Sequence, residues 1–408
     1  MSNSTLANDI SITSGFAFSS ALFDPEHGEP LIRIRDIQGQ KTVVKYTGTY
    51  SEEFVVNTGE LLVGMDGDFN VVRWLGTKAL LNQRVCKIQS ISAELHQGFL
   101  FWYLQPKLKD IHATTPQTTV KHLSVKDIYA IEKPNLNFFE QEMVADVLDT
   151  IDSQIRKTET IIAKLRQVKQ GMLHDLLTRG IDENGELRPS YEDASELYKP
   201  TELGWIPKGW TEDYLTNMID FPSGQVDPKV NPYSEMFLVA PDHIESRTGR
   251  LLSKETAREQ GAISGKYLFN KDDVVYSKIR PYLRKAYLAE FKGICSADSY
   301  PMTAKKGVLP KFLHMIILSE NFSSFAESVS MRSGFPKINR TELSEYKTYW
   351  PKESEQEKII GRYEQLIETL DEEQSQLSKL TLVKSGLMDD LLTGKVRVTD
   401  LIKQQQTG

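Results

Sequence analysis

Two stretches of the chain carry apolar residues at alternating steps of four and three. One runs Val144, Leu148, Ile151, Ile155, Ile162, Leu165, Met172, Leu176. The other runs Ile359, Tyr363, Leu366, Leu370, Leu377, Leu380, Leu387, Leu391. This spacing is the seam of a coiled coil and predicts two long helices, over 137–179 and 353–394. Polar residues break both seams at equivalent places, Thr158 and Glu373, then Lys169 and Lys384. Polar seam positions tend to fix register or partner. About forty residues at about 1.5 Å each make a rod of roughly 60 Å.

The two helices repeat each other in sequence. They open on Glu140-Gln141-Glu142 and Glu355-Gln356-Glu357, 215 positions apart. They close on Val168-Lys169-x-Gly171-x-x-x-Asp175-Leu176-Leu177-Thr178 and Val383-Lys384-x-Gly386-x-x-x-Asp390-Leu391-Leu392-Thr393, again 215 apart. The regions ahead of them also match. Leu6-x-Asn8-x-Ile10-x-x-x-Ser14-Gly15 returns as Leu215-x-Asn217-x-Ile219-x-x-x-Ser223-Gly224, and Asn57–Val63 faces Asn270–Tyr276. The order is globular domain, helix, globular domain, helix. Antiparallel pairing of the helices would put the two globular halves at opposite ends. A pseudo-twofold chain suits a pseudo-symmetric partner or a two-part target.

Short β-like runs alternate with turns in each globular half: Leu31–Ile34, Leu61–Val63, Val85–Ile88, Phe237–Ala240, Val274–Ile279 and Tyr300–Thr303. Helix-like stretches occur at His96–Leu104 and Lys311–Glu327. The fold class is therefore α+β: two mixed α/β domains, 1–136 and 206–352, with a pair of long antiparallel helices. Residues 180–205 read as a linker and 395–408 as a tail. Trp205 and Trp210 open the second half and read as packing anchors.

The chain has 408 residues and a net charge of −7. By segment the charge is −1 over 1–136, −6 over 137–205, +4 over 206–352 and −4 over 353–408. The acidity belongs to the helices and linker, which leaves room for a local phosphate-binding face on the domains. Two cysteines, Cys86 and Cys295, make no disulfide or metal framework, and a cytoplasmic setting is expected. No apolar run reaches membrane-spanning length, so no membrane partner is expected.

Catalytic motifs are missing. Gly261–Tyr267 is one residue short of a phosphate loop and lacks its Ser or Thr, and Asn231-Pro232-Tyr233 reads as a turn. The seven histidines have no metal-ligand spacing. Polar clusters that occur in both halves read instead as DNA contacts. The second half offers Lys278, Arg280, Tyr282, Arg284 and Lys285 at a strand end, then Arg332, Ser333 and Lys337 in a loop. The related stretch of the first half holds Arg73, Trp74, Lys78, Gln83 and Arg84, with Gln117 and Lys121 facing the later loop. Arg33 and Arg35 end an early strand. Arg reads guanine and Gln reads adenine through paired hydrogen bonds, while Lys mostly holds phosphate.

With these residues in view, the chain resembles a specificity subunit of a type I restriction-modification system over nearly its whole length. The likeness rests on Ser14–Phe18, Ile32–Ile37, the two Glu-Gln-Glu helices with their Gly-x-x-x-Asp-Leu-Leu-Thr ends, Gly204–Trp210 and Lys278–Tyr282. The resemblance implies two target-recognition domains, each reading one half of a split, asymmetric site in double-stranded DNA. It implies helices that set the spacing and dock methyltransferase subunits, two of them, carrying S-adenosylmethionine. Restriction subunits, motor nucleases using ATP and Mg, would join for cleavage. This chain itself would be non-catalytic and bind no cofactor. One departure is that the first half lacks the Gly-Trp-x-Pro opening of the second, so the tail after Thr393 is expected to complete its N-terminal edge. The competing expectation is a coiled-coil adaptor that spaces two proteins and never touches DNA.

Overall fold

The computed structural model describes residues 4–116, 120–330 and 335–398. The chain divides into two compact units, Met1–Thr160 with Ser375–Gly408, and Ile161–Gln374. Each unit holds one globular domain and a part of both long helices.

The first domain is built on an antiparallel sheet with strands in the order Ile10–Ser14, Val85–Ser90, Leu61–Gly64, Val71–Arg73. The second domain repeats that order with Ile219–Asp220, Ser299–Ala304, Val274–Ser277 and Ala286–Leu288. The central strand of each is apolar without a break because both of its faces are covered. Successive side chains on a strand point to opposite faces. Leu61 and Val63 accordingly enter one core while Leu62 enters another. Val274 and Tyr276 likewise part from Val275.

The smaller core in each domain lies under a second sheet, and this too repeats. Glu29–Ile32 runs parallel to Ala79–Leu81, which pairs antiparallel with Val55–Val56. Leu238–Val239 runs parallel to Gly293–Cys295, which pairs antiparallel with Tyr267–Phe269. The first domain adds two strands, Val44–Tyr46 and Phe23–Asp24, to make five. Over the four-stranded sheet lies a helix, Gln97–Thr114, whose Phe99, Leu100, Trp102 and Leu104 are buried. Its counterpart in the second domain differs from the single helix expected over Lys311–Glu327. It consists of two helices, Pro310–Leu318 and Glu320–Ser330. Ser319 separates them in extended conformation, and its Oγ accepts from the Phe322 amide at 3.2 Å, an N-cap that starts the second helix.

The long helices span Phe138–Thr178 and Glu353–Leu392. Their seam residues are buried or half-buried throughout. In the first unit Lys384 reaches Asp152 at 2.6 Å and lies over the Trp102 ring, while Leu391 and Leu392 pack with Val144 and Leu148. In the second unit Lys169 lies over the Tyr363 ring, and Leu176 and Leu177 share a core with Ile359 and Ile360. One helix therefore advances as the other recedes, which is antiparallel pairing. The two polar seam lysines have found the same solution, an aromatic face beneath an ammonium group.

The repeated Glu-Gln-Glu phrase is a joint between helix and domain. Gln141 is buried; its Nε2 donates to the carbonyls of Glu94 and Leu136, and its Oε1 accepts from His96 N. Gln356 does the same with the carbonyls of Gly307 and Pro351 and with Leu309 N. The preceding glutamates are bridged by an arginine that follows the other helix. Arg397 donates to both oxygens of Glu140, at 3.0 and 2.9 Å. Arg188 bridges both oxygens of Glu355, which also accepts from Trp210 Nε1 and Ile181 N. Gly180 and Gly394, at φ +67° and +70°, end the helices and turn the chain back toward these arginines. The tail expected at the edge of the first domain packs Val396 and Val398 into that domain's core.

Removing one partner of a buried charge pair leaves the other without compensation. Arg188→Ala should therefore lower stability by about 2 kcal/mol, read by urea unfolding; a change near zero would show that Glu355 is held without it. His314 provides a second test. Burial holds its ring down to about 4, its Nε2 donating to Ala286 O at 2.9 Å and Lys169 adding like charge. An unfolded histidine titrates near 6.5, so between those values the unfolded chain binds the extra proton. This contribution is complete above about pH 6.5 and is lost as pH falls toward 4, a difference of roughly 3 kcal/mol at most. His314→Gln should flatten the loss of stability between about pH 7 and about pH 5; an unchanged slope would contradict it.

Candidate nucleic-acid interface

In each domain three loops meet beside the central strand: the turn that follows it, the segment before the strand's neighbour, and the segment ahead of a short helix. The main-chain bonds at this junction are the same in both. Met65 N donates to Arg84 O at 2.8 Å, Gly67 N to Lys121 O at 3.0 Å, and Leu123 N to Met65 O at 2.7 Å. In the second domain Lys278 N donates to Asp298 O at 2.9 Å, Arg280 N to Pro336 O at 2.9 Å, and Ile338 N to Lys278 O at 2.9 Å. The antiparallel bridge Asp66 to His122 matches Ile279 to Lys337. The frame pairs Arg84 with Asp298, Asp66 with Ile279, Gly67 with Arg280, and His122 with Lys337.

The frames agree, but the side chains on them do not. The second domain makes a cationic cluster. Lys278 lies over the Tyr300 ring, Arg280 over Phe335, and Arg340 over both Phe221 and Tyr300. Burial and the charges of Lys337 and Arg340 hold Lys278 below the usual lysine range, with Asp298 opposing them. Arg280 and Arg284, both at φ +49°, flank a short turn over Pro281–Leu283 that leaves Tyr282 exposed. Lys337 is exposed. The first domain has a carboxylate at the centre instead. Asp66 accepts from Arg84 Nη1 at 2.5 Å and stands 2.7 Å from His122 Nδ1. Burial pushes the Asp66 carboxyl up, but the hydrogen bonds and charges of His122 and Arg84 outweigh it and hold the group below its ordinary range.

The sequence-predicted contacts separate accordingly. Lys278, Arg280, Tyr282 and Lys337 come together at the second junction, and Arg84 and Lys121 belong to the first; the Lys121 ammonium donates to His112 O. Arg35, Lys78 and Gln83 are exposed, and Arg33 is tied to Asp36 at 3.1 Å. Lys285 is turned inward to Pro241 O, and Arg284 is largely buried with Glu320 beside it. One placement needs correction. Trp74 is buried to 1% exposure and donates its indole N–H to Thr77 O, so it is a core residue and not a contact. Arg73, half-buried, bridges to Asp149 on the first long helix and lies over Phe101. Alignment of Arg73–Lys78 with the Ser277–Lys285 turn is also displaced, since Gly64–Asn70 is that turn's counterpart by main-chain bonding. Gln117, Arg332 and Ser333 lie outside the described residues.

Sequence reading missed Asp66, His122, Asp298 and Arg340. The signal was present: carrying the offset of 213 from Leu61 and Val274 into the next turn pairs Gly67 with Arg280. Among the described residues no group of three or more His, Cys, Asp or Glu could hold a metal ion. Both cysteines are buried, and burial pushes their thiols up to about 12, far from the thiolate a nucleophile needs. No helix among the described residues is long and apolar enough to cross a membrane.

The arrangement fits electrostatic and hydrogen-bonding contact with a polyanion. Exposed Lys337 has the charge and reach suited to a phosphate. Lys337→Ala should weaken DNA binding of the assembled complex about evenly across sequences and reduce the salt slope by about 1, measured by titration at several salt concentrations. An unchanged slope would remove Lys337 from the interface.

Comparison with known proteins gives the same direction. A family model described as the type I restriction modification DNA specificity domain matches residues 7–167 and 246–382. The type I restriction enzyme EcoDI specificity subunit of Escherichia coli is 29% identical over 354 residues, 84% of this chain and 78% of its own length. The EcoBI specificity subunit of the same organism is 28% identical over 402 residues, 95% and 83% of the two chains. The S subunit of a type I restriction-modification system from M. genitalium superposes with a TM-score of 0.59 at 18% identity, covering 96% of each chain. That last likeness concerns the fold.

Proposed function

This chain belongs to the type I restriction-modification DNA specificity family, and on that premise we propose that its two domains read unlike halves of one split site in double-stranded DNA. The observation that carries this reading is the repeated junction, one frame of main-chain bonds bearing two different sets of side chains. A symmetric scaffold with unlike contact groups is what an asymmetric two-part target requires. The second domain would approach its half-site with Arg280 and Tyr282 toward the bases and Lys278 and Lys337 toward phosphate.

The rod sets the distance between the half-sites, on the order of one turn of DNA. It also docks methyltransferase subunits, two of them, one for each copy of the repeated helix. Support comes from identities repeated at exposed positions, where internal packing gives no reason for them: Val168 with Val383 and Gly171 with Gly386. The methylating chemistry, with S-adenosylmethionine, and cleavage, with ATP and Mg, belong to partner subunits. This chain supplies the address and no catalytic group.

The test is single-molecule sequencing of methylated adenines in cells carrying the chain with and without its methyltransferase subunit. A new split motif with unlike halves should appear only when both are present. Arg280→Ala should relax one half of that motif by about 1–3 kcal/mol of discrimination and leave the other half intact. Absence of any motif, with the complex shown to assemble, would overturn the reading.

A further inference from the structure

The paired junctions place residues of opposite hydrogen-bonding character at one structural position. We propose that Arg84 and Asp298 are specificity-determining residues of opposite sense: Arg84 reads a guanine in one half-site, and Asp298 reads an exposed amino group, that of cytosine, in the other. This rests on the DNA-reading function proposed above. Both residues are exposed, and each offers its carbonyl to the first residue of the turn after the central strand, Met65 or Lys278. Both therefore leave the frame at the same point. A guanidinium presents only donors and matches the two acceptors on the major-groove edge of guanine. A carboxylate presents only acceptors and matches the cytosine amino group.

Arg84 is held in place. Its main chain is left-handed, at φ +71°, and Asp66 takes one N–H from Nη1, leaving four of the five donors of a guanidinium available. His122 braces the other oxygen of Asp66. A fixed guanidinium discriminates better than a mobile one, because less conformational freedom is lost when the paired hydrogen bonds form. Asp66 is in this sense a positioning residue, acting on the base through Arg84. In the second domain Ile279 stands in the place of Asp66 and offers no such brace, while Lys278 lies near enough to Asp298 for the two charges to interact. The lysine's charge offsets the repulsion a bare carboxylate would meet near phosphates.

The experiment uses the full chain co-expressed with its methyltransferase subunit, with methylated-adenine sequencing as the readout. Arg84→Ala should reduce discrimination at one base pair of one half-site by about 5- to 150-fold. Arg84→Lys, which keeps the charge and loses the fork, should relax the same position. Asp66→Asn should relax that position to a smaller extent, and Asp66→Glu should restore part of it, a pattern that loss of folding cannot give. Asp298→Ala should relax a single position in the opposite half. Unchanged discrimination in both Arg84 variants, or Arg84 and Asp298 acting on the same half, overturns the assignment. A wild-type chain that directs no two-part methylation defeats the underlying reading instead, and the assignment with it.

Discussion

Everything in each unit depends on one buried side chain, the glutamine at the start of each long helix. Gln141 and Gln356 each satisfy two carbonyls and one amide of the domain beside them. Three main-chain groups buried without partners would each cost about 1–3 kcal/mol, so the loop over Glu94–His96 and the loop over Gly307–Leu309 have their shape only when the helix is seated. The glutamates beside them add the arginine bridges from the segments that follow the other helix. Domain and rod are thus joined by hydrogen bonds with fixed directions, where apolar packing alone would let one slide on the other.

That joint explains why the helix phrases are the strongest repeat in the chain. Glu140 and Gln141 repeat as Glu355 and Gln356 because each satisfies several fixed groups at once. Gly180 and Gly394 repeat the return of the chain toward the arginines, at positive φ, though with an offset of 214 where the helices keep 215. Loop sequences follow no such rule, and their offset drifts. The junction that positions these side chains is defined by main-chain atoms: carbonyls, which every residue supplies, and N–H groups, which every residue except proline supplies. Residue identities alone therefore do not reveal it, and only the offset of 213 carried into the turn points to it.

The same reasoning separates what could be read in advance from what could not. The helix seams and the α+β class were legible, because burial imposes periods of about 3.6 and 2 that sequence records directly. Arg280 and Lys337 were found as candidates by residue type. Trp74 was misplaced because an indole serves a core and a contact surface equally well, and only burial decides between them. The Arg73 ion pair was not legible because its partner, Asp149, lies 76 positions away on a helix. Asp66 and Asp298 were overlooked because a carboxylate seldom commends itself as a contact to a polyanion. The Ser319 break escaped notice because an N-cap serine inside an apolar helical pattern looks like an ordinary polar face.

A frame made of main-chain bonds has a consequence for how such a protein changes over time. Substitutions at Arg84, Asp298 or Arg280 alter what is displayed without touching the bonds that hold the display. Such a mutation leaves the main-chain bonds in place, and at Arg84 and Arg280 the positive φ favours residues that tolerate a left-handed backbone. A different display can therefore arise by single steps on an unchanged scaffold, while a change at Gln141 or Gln356 would leave buried main-chain groups without partners. The chain separates a chassis fixed by main-chain bonds from a vocabulary of side chains that can change upon it.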